Sequence, residues 1–268
     1  LSMAQDAARY AGSALHLAVL AGDLNLFLML AGFRIAYGGR MVPEGSVDVE
    51  TGDNYTASLL SSAQSYSPLA RQFGREGDPE LIHNYVGWPI HLEYGNTEYD
   101  RYGTFAKMKT VERPEPLGVS FAELKVDATM FFPPDDAARR FAWARGMTAM
   151  REAMRDETEI GARIVVGGKL SGYAGRYPGV LEEALLDLRA RRPVFLIGAL
   201  GGAALLVYDA LQGKPRGELT TGWVTGHDDD GKQRYPHYHD VRRRHLDNGF
   251  EMKTPEELAE EIAEMGRG

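Results

Sequence analysis

The residues of this chain best suited to chemistry crowd into one window, 162–202, which reads ARIVVGGKLSGYAGRYPGVLEEALLDLRARRPVFLIGALGG. Eight glycines fall in it, placed after two short apolar runs and not within them. A glycine that follows a strand and precedes a helix lets the backbone close on an anion at the helix N-terminus. Gly168, Lys169, Tyr173, Arg176 and Gly179 share the first such loop, so backbone N–H groups, an ammonium and a guanidinium are available to one phosphate. The plainer reading is a long glycine-rich turn that holds nothing. Gly198, Gly201 and Gly202 mark a second turn, and Gly38 and Gly39 a third, far earlier in the chain. Recurrence of glycine clusters after three separate strands favours the anion site.

Glu182 and Glu183 open the helix that follows the first loop. Acidic residues there complement the positive helix end; the same pair is also placed to hydrogen-bond ribose hydroxyls or to assist a departing base. Arg151 lies about 40° around its helix from Met147, at the edge of an apolar stripe. From that edge an arginine either snorkels to solvent or reaches into a pocket. The glycine turns lack the GxGxxG order and a P-loop lysine, so neither a dinucleotide fingerprint nor an NTPase is indicated, and no cofactor is expected. His227, His237, His239 and His245 cluster with Asp228, Asp229, Asp230 and Asp240. A His-x-His step in a polar stretch does not make ligands converge. This segment is expected to be a mobile surface loop without a metal, the arginines at 242–244 balancing its acids.

The elements that must position these groups can be read in turn. Runs 162–166 and 193–197 are short and apolar, as strands buried on both faces are, with a helix from near Val180 between them. Asp135 or Asp136 starts a helix whose buried side carries Phe141, Met147, Met150 and Met154. Upstream, Ser13 caps a helix that ends at Gly32, and 34–37 form a strand. A long polar loop leads into the helical YTASLLSSAQSY, capped by Asn54 or Thr56, with a charged connector at 71–81. Residues 82–92 read as a strand broken at 87–89; 93–133 show no clear period apart from a short strand at Phe131-Phe132. Residues 202–211 are helical, and Thr254-Pro255-Glu256-Glu257 is a capping box that starts a last helix to about Met265. The alternation gives an α/β, doubly wound Rossmann-like fold, a mainly parallel sheet with helices on both faces. One domain over 1–268 is expected, its core at about 13–211 and an elaboration over 212–268.

With 268 residues, 44% hydrophobic and 25% charged, the chain can bury one sizeable core. A net charge of -8 argues against sequence-independent nucleic-acid binding, which needs basic surface. The absence of cysteine excludes disulfides and thiolate chemistry and makes the cytoplasm the default location. The most apolar stretch, 14–31, carries His16, Asp23 and Asn25, which suits a buried helix and not a membrane span.

The order of a helix bearing MREAM, a strand, and then PGVLEEA resembles the lonely-guy family of cytokinin-activating phosphoribohydrolases. That family carries an arginine on the helix before the strand and a PGGxGTxxE motif after it. By this resemblance Arg151 takes the arginine position and Glu183 that of the catalytic glutamate, with Gly179, Val180, Leu181 and Glu182 over the rest of GTxxE. The YGG at 37–39 is similar to the glycine turn after that family's second strand. Three departures stand out: an inserted SGYAGRY, Val180 in place of threonine, and tandem glycines at Gly167-Gly168. The longer form, GGKxSGYxGRxPGxxEEA, is more similar to the wider SLOG superfamily, which joins those enzymes to nucleotide-derivative sensor domains, including those of antiphage Thoeris effectors. The resemblance implies a sensor of a nucleotide-derived small molecule, its phosphates on the glycine turns and Arg176, its ribose near Glu182 and Glu183. The alternative it implies is a phosphoribohydrolase in which Arg151 and Glu183 handle the glycosidic bond. A third reading, an interaction module whose site has decayed, is opposed by the intact Gly201-Gly202 and Arg176. A homo-oligomer is expected, with an effector domain or partner protein to act on the signal.

Overall fold

The computed structural model describes residues 14–40, 55–72, 81–103, 106–157 and 160–267. The first described helix, α1 (Ala14–Leu30), is apolar almost throughout, and Gly32 follows it with a φ of 97°. Strand β1 (Ile35–Gly38), helix α2 (Tyr55–Gln72) and strand β2 (Ile82–Gly87) come next, and β3 (Ala106–Val111) pairs on the far side of β2. All three strands are parallel, with Tyr37 opposite Asn84 and Ile82 opposite Ala106. As the central strand, β2 is buried at every position. Alternation sends Ile82, Asn84 and Val86 to one face and His83 and Tyr85 to the other. Ile82 packs with Met29 of α1 and Leu59, Leu60 and Ala63 of α2. Tyr85 meets Met147, Met150 and Met154 of the long helix α5 (Ala137–Asp156), so helices lie on both faces here. The Asp136 carboxylate caps α5 by accepting from the Arg139 N–H at 2.8 Å.

Between β2 and α5 the chain makes a 3₁₀ turn (Ile90–Glu93) and two short helices, α3 (Asn96–Tyr102) and α4 (Phe121–Leu124). The strand expected over 82–92 stops at Gly87, at its anticipated break. No strand forms at Phe131-Phe132. Those rings serve packing instead: Phe132 lies edge-on to Trp88 at 5.4 Å, and its carbonyl accepts from Trp143 Nε1 at 2.8 Å. α2 continues through Pro68 to Gln72, two residues into the connector expected over 71–81, and 73–80 lie outside the described residues. The polar loop ahead of α2, with Asn54, lies outside the described residues, and Thr56 sits inside the helix as its second residue.

β4 (Arg163–Val166) and β5 (Val194–Ile197) form a second parallel ladder, linked by α6 (Gly179–Arg189) and followed by α7 (Gly202–Leu211). Among the described residues the strands are parallel and alternate with helices, the Rossmann-like α/β arrangement, and they group as three and two instead of one continuous ladder. Val165 turns into the core with α6 and α7; Ile164 and Phe195, directly opposite each other, are 37% and 59% exposed.

The C-terminal segment adds α8 (Thr221–Thr225), α9 (Tyr238–Asp247) and α10 (Pro255–Met265), the last opened by the expected capping box. Val241, Met252, Leu258 and Ile262 share one core with Leu181, Ala184 and Leu206, so this segment is built into the main body. The histidine-rich stretch divides: 227–237 is a largely exposed loop, as its polarity suggests, whereas from Tyr238 it is a helix packed on the core. Tyr238, Val241 and His245 recur at helical spacing and are buried, with His245 edge-on to Phe141 at 4.8 Å. Among the described residues, no helix is long and apolar enough to cross a membrane.

Candidate functional site

The glycine turns bring two helix starts together at the end of β4. Gly168 has a φ of 100°, and a Cβ there would lie 2.7 Å from Val180 Cβ and 2.9 Å from Ala203 Cβ. Gly202, at φ 67°, leaves no room either: a Cβ would come within 2.6 Å of the Gly168 carbonyl oxygen. Only glycine fits both the left-handed backbone and the space. The first turns of α6 and α7 thus converge on Gly168, and their positive ends add at one point. The amides of α7 are partly used: Ala203 N–H donates to the Gly168 carbonyl at 3.1 Å and Ala204 N–H to that of Gly167 at 2.8 Å. α6 starts behind Pro178 without a side-chain cap. Gly198 and Gly201 bracket the 3₁₀ turn that delivers the chain from β5 into α7.

Behind these turns lies a buried charge network. Glu182 is fully buried; its Oε1 accepts from Thr148 Oγ1 at 2.6 Å and Arg176 Nε at 2.7 Å, and its Oε2 from Arg151 Nη1 at 2.5 Å. Burial alone would raise the Glu182 carboxyl, but Arg151 and Arg176 outweigh it and hold the group below the usual carboxylate range. Arg176 spends Nη1 on the Glu251 carbonyl at 2.9 Å. Arg151 lies flat against the loop and helix start, since a Cβ at Gly175 or Gly179 would come within 2.8 Å of its guanidinium nitrogens. Glu183, one residue on, faces a different cation: Arg163 Nη1 donates to it at 2.8 Å, and Arg151 Nε stands 3.8 Å away. Arg163 also pairs with the buried Asp187. Arg151, Arg163 and Arg176 thus face three carboxylates, with Arg192 at the edge, 3.8 Å from Asp187.

The same loop is held from outside by the C-terminal segment. Gly172 N–H donates to the Arg234 carbonyl at 2.8 Å, and Tyr177 hydroxyl accepts from Lys253 N–H at 2.7 Å. Tyr173 packs on Tyr235 with ring centroids 4.9 Å apart, and burial pushes its hydroxyl well above the ordinary range. Lys169 is exposed, although neighbouring chain desolvates its ammonium and lowers its pKa. A small cavity of about 20 Å³, room for roughly one water molecule, remains between Leu170, Tyr177, Pro178, Leu206, Trp223 and Leu258.

The sequence model of the family described as SLOG cluster2 matches residues 1–268. The chain belongs to this SLOG family. Membership points to nucleotide-related binding or processing. No curated protein and no solved structure matches the chain.

The anticipated site residues of the SLOG chain fall into two places. Gly168, Lys169, Tyr173, Arg176, Gly179, Glu182, Glu183, Gly198, Gly201 and Gly202 gather around β4, β5, α6 and α7 with Arg151. Gly38 and Gly39 lie on the three-stranded ladder, where the chain packs tightly: a Cβ at Gly38 would meet Met150 Sδ at 2.8 Å, and one at Gly39 Thr56 Oγ1 at 2.3 Å. Thr148, Arg163 and Asp187 were not anticipated. Their spacings did carry a signal, for Thr148 precedes Arg151 by three and Asp187 follows Glu183 by four, each on one helix face.

Proposed function

We propose that this SLOG chain is a sensor-type binding protein for a nucleotide-derived ligand, such as an ADP-ribose-like or cyclic nucleotide signal. The observation that carries the reading is the saturation of Glu182. Its three hydrogen bonds and two guanidinium partners hold it as a structural anion, and Glu183 is engaged by Arg163. Cleavage of an N-glycosidic bond needs a group free to protonate the departing base and another to stabilise positive charge on the ribose. Carboxylates engaged in this way are poor candidates for either task. The convergent helix starts at Gly168 suit a phosphate that is held and not turned over. In this reading the ligand's phosphates lie on the α6 start and the glycine turns, with Lys169 at the rim.

The lonely-guy-type phosphoribohydrolase reading keeps one observation in its favour, the 3.8 Å approach of Arg151 Nε to Glu183. The sensor reading extends to a cytoplasmic, self-associating protein in a signalling or antiphage defence system, with an effector domain or partner to act on the signal. Exposed Phe27, Leu30 and Phe33 near α1 support self-association, which light scattering tests. A thermal-shift panel of AMP, ADP-ribose, NAD and cyclic nucleotides tests the ligand class. A ligand at 100 times its Kd adds about 2.7 kcal/mol of stability. A flat response to the whole panel would remove the reading.

A further inference from the structure

Asn84 takes no part in the network above, yet it is 1% exposed in the middle of β2. Its Nδ2 donates to the Gly39 carbonyl at 3.1 Å. That bond fixes the amide, because the reversed orientation would set two oxygens against each other. Oδ1 is left as a buried acceptor with no hydrogen-bond partner among the described residues. Folded proteins seldom keep a buried carbonyl unpaired without a use for it.

Its place in the fold suggests the use. Asn84 stands opposite Tyr37, one step before the Gly38-Gly39 turn at the C-terminal end of β1. In open parallel sheets, ligands bind outside that end of the strands. The first turn of α2, an 18-residue helix, lies against the same turn, since a Cβ at Gly39 would come within 2.3 Å of Thr56 Oγ1. A positive helix end and an unpaired acceptor therefore meet at one strand terminus. The Gly39–Arg40 turn above them is tied down by the Asn84 bond and by a surface pair in which Arg40 grips Glu93 through two nitrogens at 2.6–3.1 Å.

We propose that the Asn84 side-chain carbonyl accepts a hydrogen bond from the ligand, from a ribose hydroxyl or an exocyclic base amine, in a subsite formed by the end of β1, Asn84 and the first turn of α2. This rests on the nucleotide-binding reading and supplies the sugar or base contact that Glu182 is too engaged to make.

Calorimetric titration of the whole chain and of Asn84→Leu and Asn84→Ala tests it, with AMP, ADP-ribose, 2′-deoxy-AMP, 3′-deoxy-AMP and inosine monophosphate. The wild type is expected to bind AMP about tenfold tighter than the one analogue that lacks the donor read by Asn84. That preference should vanish in both variants. Loss of a deoxy analogue identifies the sugar; loss of inosine monophosphate identifies the base. Should Asn84→Leu fail to fold, Asn84→Ala and Asn84→Ser carry the comparison. Equal binding of all analogues, or a preference that survives in the variants, overturns the assignment of Asn84 and leaves the nucleotide reading standing. A wild type that binds none of the five overturns both.

Discussion

Glu182→Gln removes one negative charge from between two buried guanidinium groups and leaves the volume unchanged. In the native chain this carboxylate is fully buried and takes hydrogen bonds from Thr148, Arg151 and Arg176. Breaking a buried ion pair from one side costs about 3–5 kcal/mol, because the partner charge stays buried without compensation. At an unfolding entropy of about 2.1 cal/mol/K per residue, that loss lowers the melting temperature of a chain this long by roughly 5–9 °C. The pH dependence has a defined sign. The folded carboxyl sits below its ordinary value of 4.5, so the stability it contributes is complete above that value and is lost as pH falls through the folded pKa. Calorimetric melts of both proteins at pH 7 and at descending pH below 4.5 give the answer. The difference between them should be largest at neutral pH and shrink in acid. A variant within about 1 kcal/mol of wild type at pH 7 would refute the view of Glu182 as a structural anion.

Three further outcomes follow from the same geometry. Gly202→Ala forces a Cβ against the Gly168 carbonyl at a φ of 67°, and should destabilise by more than the roughly 1–2 kcal/mol of the left-handed backbone alone, measured by urea unfolding. Arg163→Ala removes the close cation from Glu183 and the buried Asp187, leaving only Arg151 and Arg192 at 3.8 Å, and should cost about 3 kcal/mol; a near-neutral melt would show that those two arginines take over the pairing. His245 is pushed down to about 4 by burial, so the unfolded chain binds its proton first as pH falls from 6.5. Stability should decline between pH 6.5 and 4 by up to roughly 3 kcal/mol from this group, and His245→Gln should flatten that part of the profile.

The fold was readable in the sequence wherever apolar period and terminal signals agreed. Phe141, Met147, Met150 and Met154 announced α5, and Thr254-Pro255 announced α10. β3 escaped because Lys107 and Lys109 stand on it, and an outer strand with charged side chains lacks the apolar run of a central one. The histidine-rich helix escaped because its buried stripe, Tyr238, Val241 and His245, is only three residues set among His239, Asp240 and the arginines at 242–244. At the site, the loop, both glutamates and Arg151 were visible as types. Their pairing was not: Glu182 and Glu183 lie about 100° apart on one helix, and only packing of α6 against α5 decides which meets Arg151. For the same reason, a helix-edge arginine reads as solvent-facing until the loop at Gly175 and Gly179 is folded over it.

The central claim is that nucleotide is held and not cleaved. The most direct measurement is to incubate the protein with AMP and with ADP-ribose, separate bound from free, and resolve nucleotide, free base and ribose 5-phosphate by chromatography. Intact nucleotide retained by the protein, with no free base beyond the protein-free control, is the predicted result. Multiple turnovers that release base and ribose 5-phosphate, and that vanish in both Glu183→Gln and Arg151→Ala, would contradict it and establish the hydrolase.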